Sequence, residues 1–386
     1  MLSFLAKMQC NPLWPVEKRF PALETDIRKD VLVVGGGMAG VSTAFRLKKA
    51  GFDVALITRD EVGGPATGAS SGVLYYGSGT NLVPAIRLFG EEKARLLWKE
   101  TEGVIDEIVR LAKDGPIVCG VRTCGSIMVA KTQPEVEELQ EEYAQMKNFG
   151  FPVRLLSGRE VKEAYPLREF MAGLAYDGVG QVHPARFASG IIGLNALEVY
   201  ENTPLLDWKE EDGGVAVRTP KGTVRSSQVV LATNFEPFFG LEEHFDLESS
   251  VILASQPTQR VREVFPVEKI IWSMEEKYDL VYPRGDRLIL ELYALGEEGE
   301  RLKYYFPGVE FTIEQQWGEA WAKPRDWFPI VGKVAENITA AVGMGDQGII
   351  MSWLSGSKVP GILQGKGDWF AERASPGRFG GAGVPR

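Results

Sequence analysis

The sequence predicts a two-domain α/β protein, with a βαβ nucleotide-binding unit in one domain and a second domain rich in β-strand. Three observations carry this. The chain has 386 residues, enough for roughly two domains at about 150 residues each. Near the N-terminus an apolar run, a glycine-rich turn, an amphipathic helix and a second apolar run succeed one another at βαβ spacing. Residues 250–315 are rich in β-formers and include YDLVYPRGDRLILELYAL.

The elements follow in order. Val31 to Val34 is a short apolar run of the buried-strand type. GGGMAG comes next. Val41, Ala44, Phe45 and Leu47 then mark the apolar face of a helix that ends in Arg46, Lys48 and Lys49, cations suited to its C-terminal pole. Gly51 closes that helix, and Val54 to Ile57 is the next strand. Residues 86–113 have helical periodicity and read as helical. Ser126 to Ala130 reads as a strand and Pro134 to Phe149 as a charged helix. Val215 to Thr219 and Val224 to Ala232 flank a Pro220-Lys221-Gly222 turn and read as a hairpin. Thr339 to Val342 is a strand, GMGDQG a loop and Ile349 to Leu363 a helix. The Gly/Pro-rich end, 371–386, is expected to be a loose tail.

Composition narrows the function. The net charge is −9 without a long basic run, which argues against nucleic acid or an anionic membrane as the main partner. No segment approaches eighteen uninterrupted apolar residues, and the N-terminal MLSFLAKMQCNPLWP lacks the pattern of a signal peptide. Three cysteines and two histidines offer no metal-ligand spacing. A cytoplasmic location is the expectation. No Ser/His/Asp or Cys/His arrangement is present; His183 reads as structural and His244, within LEEHFD, as solvated.

The chemistry lies in the glycines. Gly35, Gly37 and Gly40 form G-x-G-x-x-G between a strand and a helix. Gly35 permits the turn, Gly37 lets a pyrophosphate approach the backbone, and Gly40 lets helix and strand pack closely. The helix start, including Met38 and Ala39, would bind phosphate. At the end of the second strand, where a carboxylate usually holds the adenosine ribose, this chain has Thr58 and Arg59, with Asp60 beyond. Thr58 can bond a ribose hydroxyl more weakly than a carboxylate. Arg59 leaves open a nucleotide bearing a 2′-phosphate, as in NADP.

Seven segments in one order carry a resemblance: NPLWP…FPAL, ATGASSG (66–72), GSIMVA (125–130), VHPARF (182–187), VVLATN (229–234), WGEAWAKPRDWFPIVG (317–332) and GMGDQGI (343–349). From Pro12 to about Phe379 the chain resembles the D-amino-acid-oxidase-type FAD-dependent oxidoreductases, nearest the glycine oxidase, sarcosine oxidase and gamma-glutamylputrescine oxidase branch. The resemblance implies a discontinuous Rossmann-like FAD-binding domain (26–85, 180–235 and 318–370) and a second mixed-sheet α+β substrate domain (86–179 and 236–317). It favours FAD over NADP because of the C-terminal flavin loop. The FAD would be non-covalent, since ATGASSG contains no His.

The same resemblance assigns Ala66, Thr67, Ser70 and Ser71 to a second flavin-contacting loop. Leu205 and Ala232 join the cofactor set. Gly343, Asp346, Gln347, Gly348 and Ile349 form the C-terminal flavin loop, whose helix points its N-terminus at the flavin. Relatives usually have Gly and His where this chain has Asp346 and Gln347. An ionised Asp346 beside the flavin would oppose its reduction; as an alternative it caps the helix. Candidate substrate residues are Arg284, for a substrate carboxylate, and Tyr282 and Tyr75. The implied reaction is oxidation of a C–N bond in an amino acid or secondary amine. The alternatives are a 2-hydroxy-acid or glycerol-phosphate dehydrogenase, and a flavin-holding subunit that needs a partner chain. Sarcosine-oxidase-like relatives place a Lys over the flavin, whereas 282–295 contain none, so a dye, quinone or protein acceptor is expected in preference to oxygen.

Overall fold

A computed structural model describes residues 19–115, 117–165, 168–236, 239–274, 278–293 and 298–380. The lead-in NPLWP and Cys10 lie outside the described residues. Strand Ile27–Val34 pairs in parallel with Val54–Ile57 on one side and with Thr223–Leu231 on the other. Glu198–Tyr200 extends the parallel set beyond Val54–Ile57, and Ile338–Val342 pairs in parallel with the end of Thr223–Leu231. The expected hairpin is present as Gly214–Arg218 against Thr223–Leu231, and Asp207–Glu211, which sequence patterning missed, adds a further antiparallel strand. Val31 to Val34 are all buried, as a strand covered on both faces requires.

A second eight-stranded sheet is mixed. Its strands come from 126–176 and 245–324, with Phe245–Ser255 pairing along nearly its whole length with Ile313–Pro324. That last strand is continuous, so residues 318–324, expected in the first domain, hydrogen-bond in the second sheet.

The two helices that matter most for the site pack on each other. Helix Met38–Lys49 is covered by the C-terminal helix Gly348–Leu363. A Cβ at Gly356 would lie 2.2 Å from Ser42 Oγ, so only glycine allows this approach. Ser42 Oγ donates to Trp353 O at 3.2 Å across the contact. The N-termini of both helices are thereby fixed with respect to each other.

The helical stretch read over 86–113 is present as two helices, Leu82–Phe89 and Glu91–Asp114. Gly90, at φ +81°, turns the chain between them, and Glu91 and Glu92 start the second helix at the pole that favours anions. Two expectations are corrected. The tail read as loose from 371 is ordered through Gly380, with helix Trp369–Ala374 and a 3-10 turn Pro376–Phe379. The Arg378 guanidinium donates to the Asp326 carboxylate at 2.8 Å and to Phe328 O at 2.7 Å. Composition suggested a tail, but this pair of arginine contacts anchors it. His244, read as solvated, stacks flat on Phe379 with centroids 4.0 Å apart.

Candidate active site

The three glycines of the first turn have separate jobs. A Cβ at Gly35 would lie 2.2 Å from Ala232 O, and one at Gly40 would lie 1.8 Å from Gly35 O. Both are therefore packing positions. Gly37 differs: its Cβ would meet only Thr67 Oγ1, at 3.3 Å. Gly37 instead borders a cavity of about 240 Å³. No acidic residue stands in the first turn of helix Met38–Lys49, so its positive pole is not offset by a carboxylate of its own first turn. Thr67 Oγ1 accepts from Met38 N at 2.9 Å and ties the second loop to this helix start.

Of the residues expected at the cofactor, Gly35, Gly37, Met38, Ala39, Thr58 and Arg59 line this cavity. So do Ala66, Thr67, Ser70, Leu205, Ala232, Gly348 and Ile349. Gly40 and Gly343 do not; Gly343 packs beneath Pro324, where a Cβ would lie 3.0 Å from the ring. Asn234, Glu236, Glu319 and Trp321 line it unforeseen. At the nucleoside end Thr58 is buried. Arg59 pairs with Asp60 at 3.1 Å and with Glu236. A 2′-phosphate there would meet two carboxylates for one guanidinium.

Two smaller cavities under the mixed sheet adjoin one another through Trp272, Tyr278, Asp346 and Gln347, and the first of them borders the large one. Ser70, Glu319, Trp321, Gly348 and Ile349 border both the large cavity and the first small one. Ser71, Asp346 and Gln347 line the small cavities. The side chains of Asp346 and Gln347 do not cap the C-terminal helix. Instead the Asp346 carboxylate accepts from Tyr278 at 2.6 Å and from Tyr293 at 2.7 Å. The capping expectation for Asp346 is thus overturned, because two phenols that flank strands Asp279–Arg284 and Arg287–Leu292 take both of its oxygens.

Two more carboxylates share this space. Glu291 is buried and accepts from Ser250 Oγ at 2.9 Å. Glu319 is half-buried on the cavity wall. Desolvation raises all three acids above the ordinary carboxylate range, Glu291 to about 7. Mutual repulsion adds to the rise at Glu319 and Glu291. Asp346 is held down in part by its two phenol donors and by Lys323.

The expected substrate residues are dispersed. Tyr75 lines the outer small cavity. Tyr282 is buried, and its hydroxyl donates to Ser71 O at 2.6 Å, which holds the second loop against the mixed sheet. Trp317 Nε1 does the same at Ala69 O, at 2.7 Å. Arg284 lines none of the three cavities. Its guanidinium donates to Gln181 Oε1 at 3.3 Å, beside Cys119 and Arg122. His183 caps helix Pro184–Leu194 through Nδ1, which accepts from Arg186 N at 3.2 Å, and burial pushes its pKa down to about 3. Among the described residues no His/Cys/Asp/Glu group is arranged to hold a metal, and no helix is long and apolar enough to cross a membrane.

Strand, glycine turn, helix and an elongated cavity that ends at a second helix N-terminus define a dinucleotide-dependent enzyme of the two-sheet type. The chain belongs to the FAD dependent oxidoreductase family, whose model matches residues 30–359. It is 26% identical to the probable oxidoreductase OrdL of Haemophilus influenzae over 90% of this chain and 85% of that one. It is 25% identical to the gamma-glutamylputrescine oxidoreductase of Escherichia coli over 91% and 87%. The fold matches that of glycine oxidase from Geobacillus kaustophilus with a TM-score of 0.73, at 22% identity over 90% of this chain and 98% of that one.

The residues fit FAD, the cofactor of the family. Gly37 leaves the space that a pyrophosphate needs, and Thr233 Oγ1 on the cavity wall has no partner among the described residues. Gly35 to Ala39 would hold the pyrophosphate and Ser70, Gly348 and Ile349 the ring.

Proposed function

We propose that this protein oxidises the C–N bond of an amine or amino acid, with hydride passing from the carbon beside nitrogen to flavin N5. The observation that supports this most directly is adjacency. The nucleotide cavity and an aromatic cavity under the mixed sheet share Ser70, Glu319, Trp321, Gly348 and Ile349 as their common wall. A small substrate placed there would lie against the end of the cofactor site nearest the C-terminal helix. The relatives named for gamma-glutamylputrescine and for glycine act on nitrogen compounds, which agrees with this reading.

Bound FAD supplies a two-electron acceptor. As hydride leaves, the nitrogen lone pair forms the C=N bond; water then adds, and the C–N bond breaks to give a carbonyl compound and ammonia or an amine. The chain contributes orientation. Tyr282 and Trp317 hold the 69–71 loop, and Asp346, Tyr278 and Tyr293 hold the opposite wall. The protein base that removes a proton from the incoming amine is a carboxylate of this wall.

The test is anaerobic mixing of the purified holoenzyme with panels of amines, amino acids and 2-hydroxy acids. Bleaching of the flavin absorbance by a nitrogen compound, with ammonia or an amine as product, is expected. Bleaching by 2-hydroxy acids alone would replace this reading with a hydroxy-acid dehydrogenase.

A further inference from the structure

Five aromatic rings form a continuous wall beside the cofactor cavity. Tyr75 meets Trp272 edge-on at 4.2 Å, and Trp272 meets Tyr278 at 6.2 Å. Tyr278 packs on Tyr293 at 4.6 Å, and Tyr293 meets Trp321 at 5.4 Å. Asp346, Glu291 and Glu319 face the same space. Among the described residues, no Lys, Arg or His lines either small cavity. Lys323 acts on Asp346 electrostatically, but its ammonium pairs with Glu248 at 2.8 Å. Arg284, the residue suited to a carboxylate, is directed to Gln181 instead.

A second, independent feature points to a ligand here. The indole N–H groups of Trp272 and Trp321 sit on rings only 4% and 6% exposed. Both rings form the cavity wall, and neither N–H has an acceptor among the described residues. Buried donors of this kind are costly unless a bound group satisfies them.

We propose that the cavity walled by Trp272, Tyr278, Tyr293 and Trp321 takes the cationic head of an amine, with Asp346, Glu319 and Glu291 as counter-charges, and that it does not hold a substrate carboxylate. This rests on the reading of the site given under Proposed function and narrows its substrate class. The physical grounds are complementary. An ammonium gains from aromatic faces and from carboxylates in a water-poor space. An α-carboxylate would meet three acids, two aromatic donors and no cation. A neutral acceptor on the ligand, such as an amide or hydroxyl oxygen, would satisfy the indole N–H groups.

The experiment separates binding from turnover. The oxidised, anaerobic holoenzyme is titrated with 1,4-diaminobutane, with glycine and with acetate, and binding is read by calorimetry and by perturbation of the flavin spectrum. The diamine is expected to bind at least about tenfold more tightly than glycine or acetate. Asp346→Asn and Glu319→Gln are each expected to weaken the diamine by about tenfold and to leave acetate unchanged or tighter. Glycine or acetate binding more tightly than the diamine to the wild-type protein would overturn the proposal. So would diamine affinity unchanged in both variants. Diamine binding without bleaching by any nitrogen compound would retain the cation site while removing the proposed reaction.

Discussion

At the scale of single residues, Gly37 and Gly40 make opposite demands although they are three positions apart. Gly37 has ordinary backbone angles, φ −74°, and almost nothing near its missing Cβ, whereas Gly40 is pressed against the carbonyl of Gly35. Gly37→Val is therefore expected to fold, with unchanged far-UV circular dichroism, and to purify with little flavin. Gly40→Ala forces backbone apart and is expected to lower stability whether or not cofactor is added. Full flavin occupancy in Gly37→Val would remove the glycine loop from the cofactor site. The acids beside the ring end yield a pH prediction. Glu291, raised to about 7 by burial, is mostly protonated below that value. Asp346 and Glu319 are raised as well, and Lys323 and Glu248 are the neighbouring charges. Ionised carboxylates hold an ammonium more strongly, so diamine affinity should climb as pH rises through about 7. A calorimetric profile flat from pH 6 to 8 would contradict this.

At the scale of elements, helix Leu82–Phe89 begins at Asn81 without a cap from its own sequence. The cap comes from Glu142, on another helix, which accepts from Leu82 N at 2.8 Å and Val83 N at 2.9 Å. Glu142→Ala strands one buried and one part-buried donor, the buried one costing about 1–3 kcal/mol. A loss of about 3 kcal/mol in urea unfolding is expected, too large for a surface change. Burial pushes the Glu142 carboxyl up from 4.5 to about 7. A group raised above its unfolded value binds protons more tightly in the folded state. Its contribution is full below about 4.5 and is lost as pH rises through about 7. Glu142→Gln should flatten part of that slope.

These elements also mark how much was legible in the sequence. The βαβ unit was readable because its strand, glycine turn and helix are contiguous, and each residue's neighbours in space are its neighbours in sequence. The acidic, aromatic cavity was not. Its pairs Tyr278–Asp346 and Tyr293–Asp346 span 68 and 53 residues. Glu291 stands in Leu288-Ile289-Leu290-Glu291-Leu292, where an isolated Glu suggests a solvent-facing position; both faces of this strand are covered, and it is buried. Asp346 stands one residue before the N-cap of a helix, a position that suggests capping, yet phenols that flank strands of a different sheet hold its side chain. Arg284 followed a family strand pattern that fixes position along the chain but not the direction of the guanidinium.

For the molecule as a whole, the attachment of the flavin and the choice of electron acceptor follow from the groups that line the cavities. Non-covalent FAD is expected, because among the described residues the groups lining the cavity, Ser70 and Thr67 with them, include no His or Cys. The intact chain should have its unmodified mass after denaturation; an added flavin mass would refute this. Oxygen is the sharper case. Its one-electron reduction creates an anion beside the ring, and a nearby cation in a water-poor site favours that step. Here the ring end is bordered by Glu319, with Glu291 and Asp346 beyond, and Lys323 is engaged by Glu248. The net charge of −9 supplies no compensating field. We therefore expect a dehydrogenase that passes electrons to a dye, quinone or protein in preference to oxygen. Reduced enzyme mixed in stopped flow with air-saturated buffer should reoxidise more slowly than with a quinone analogue. Glu319→Gln, which removes an opposing charge only above the raised pKa of that buried acid, should there speed the oxygen reaction by about tenfold or less. Reoxidation by oxygen faster than by the quinone in the wild-type protein would establish an oxidase and overturn this expectation.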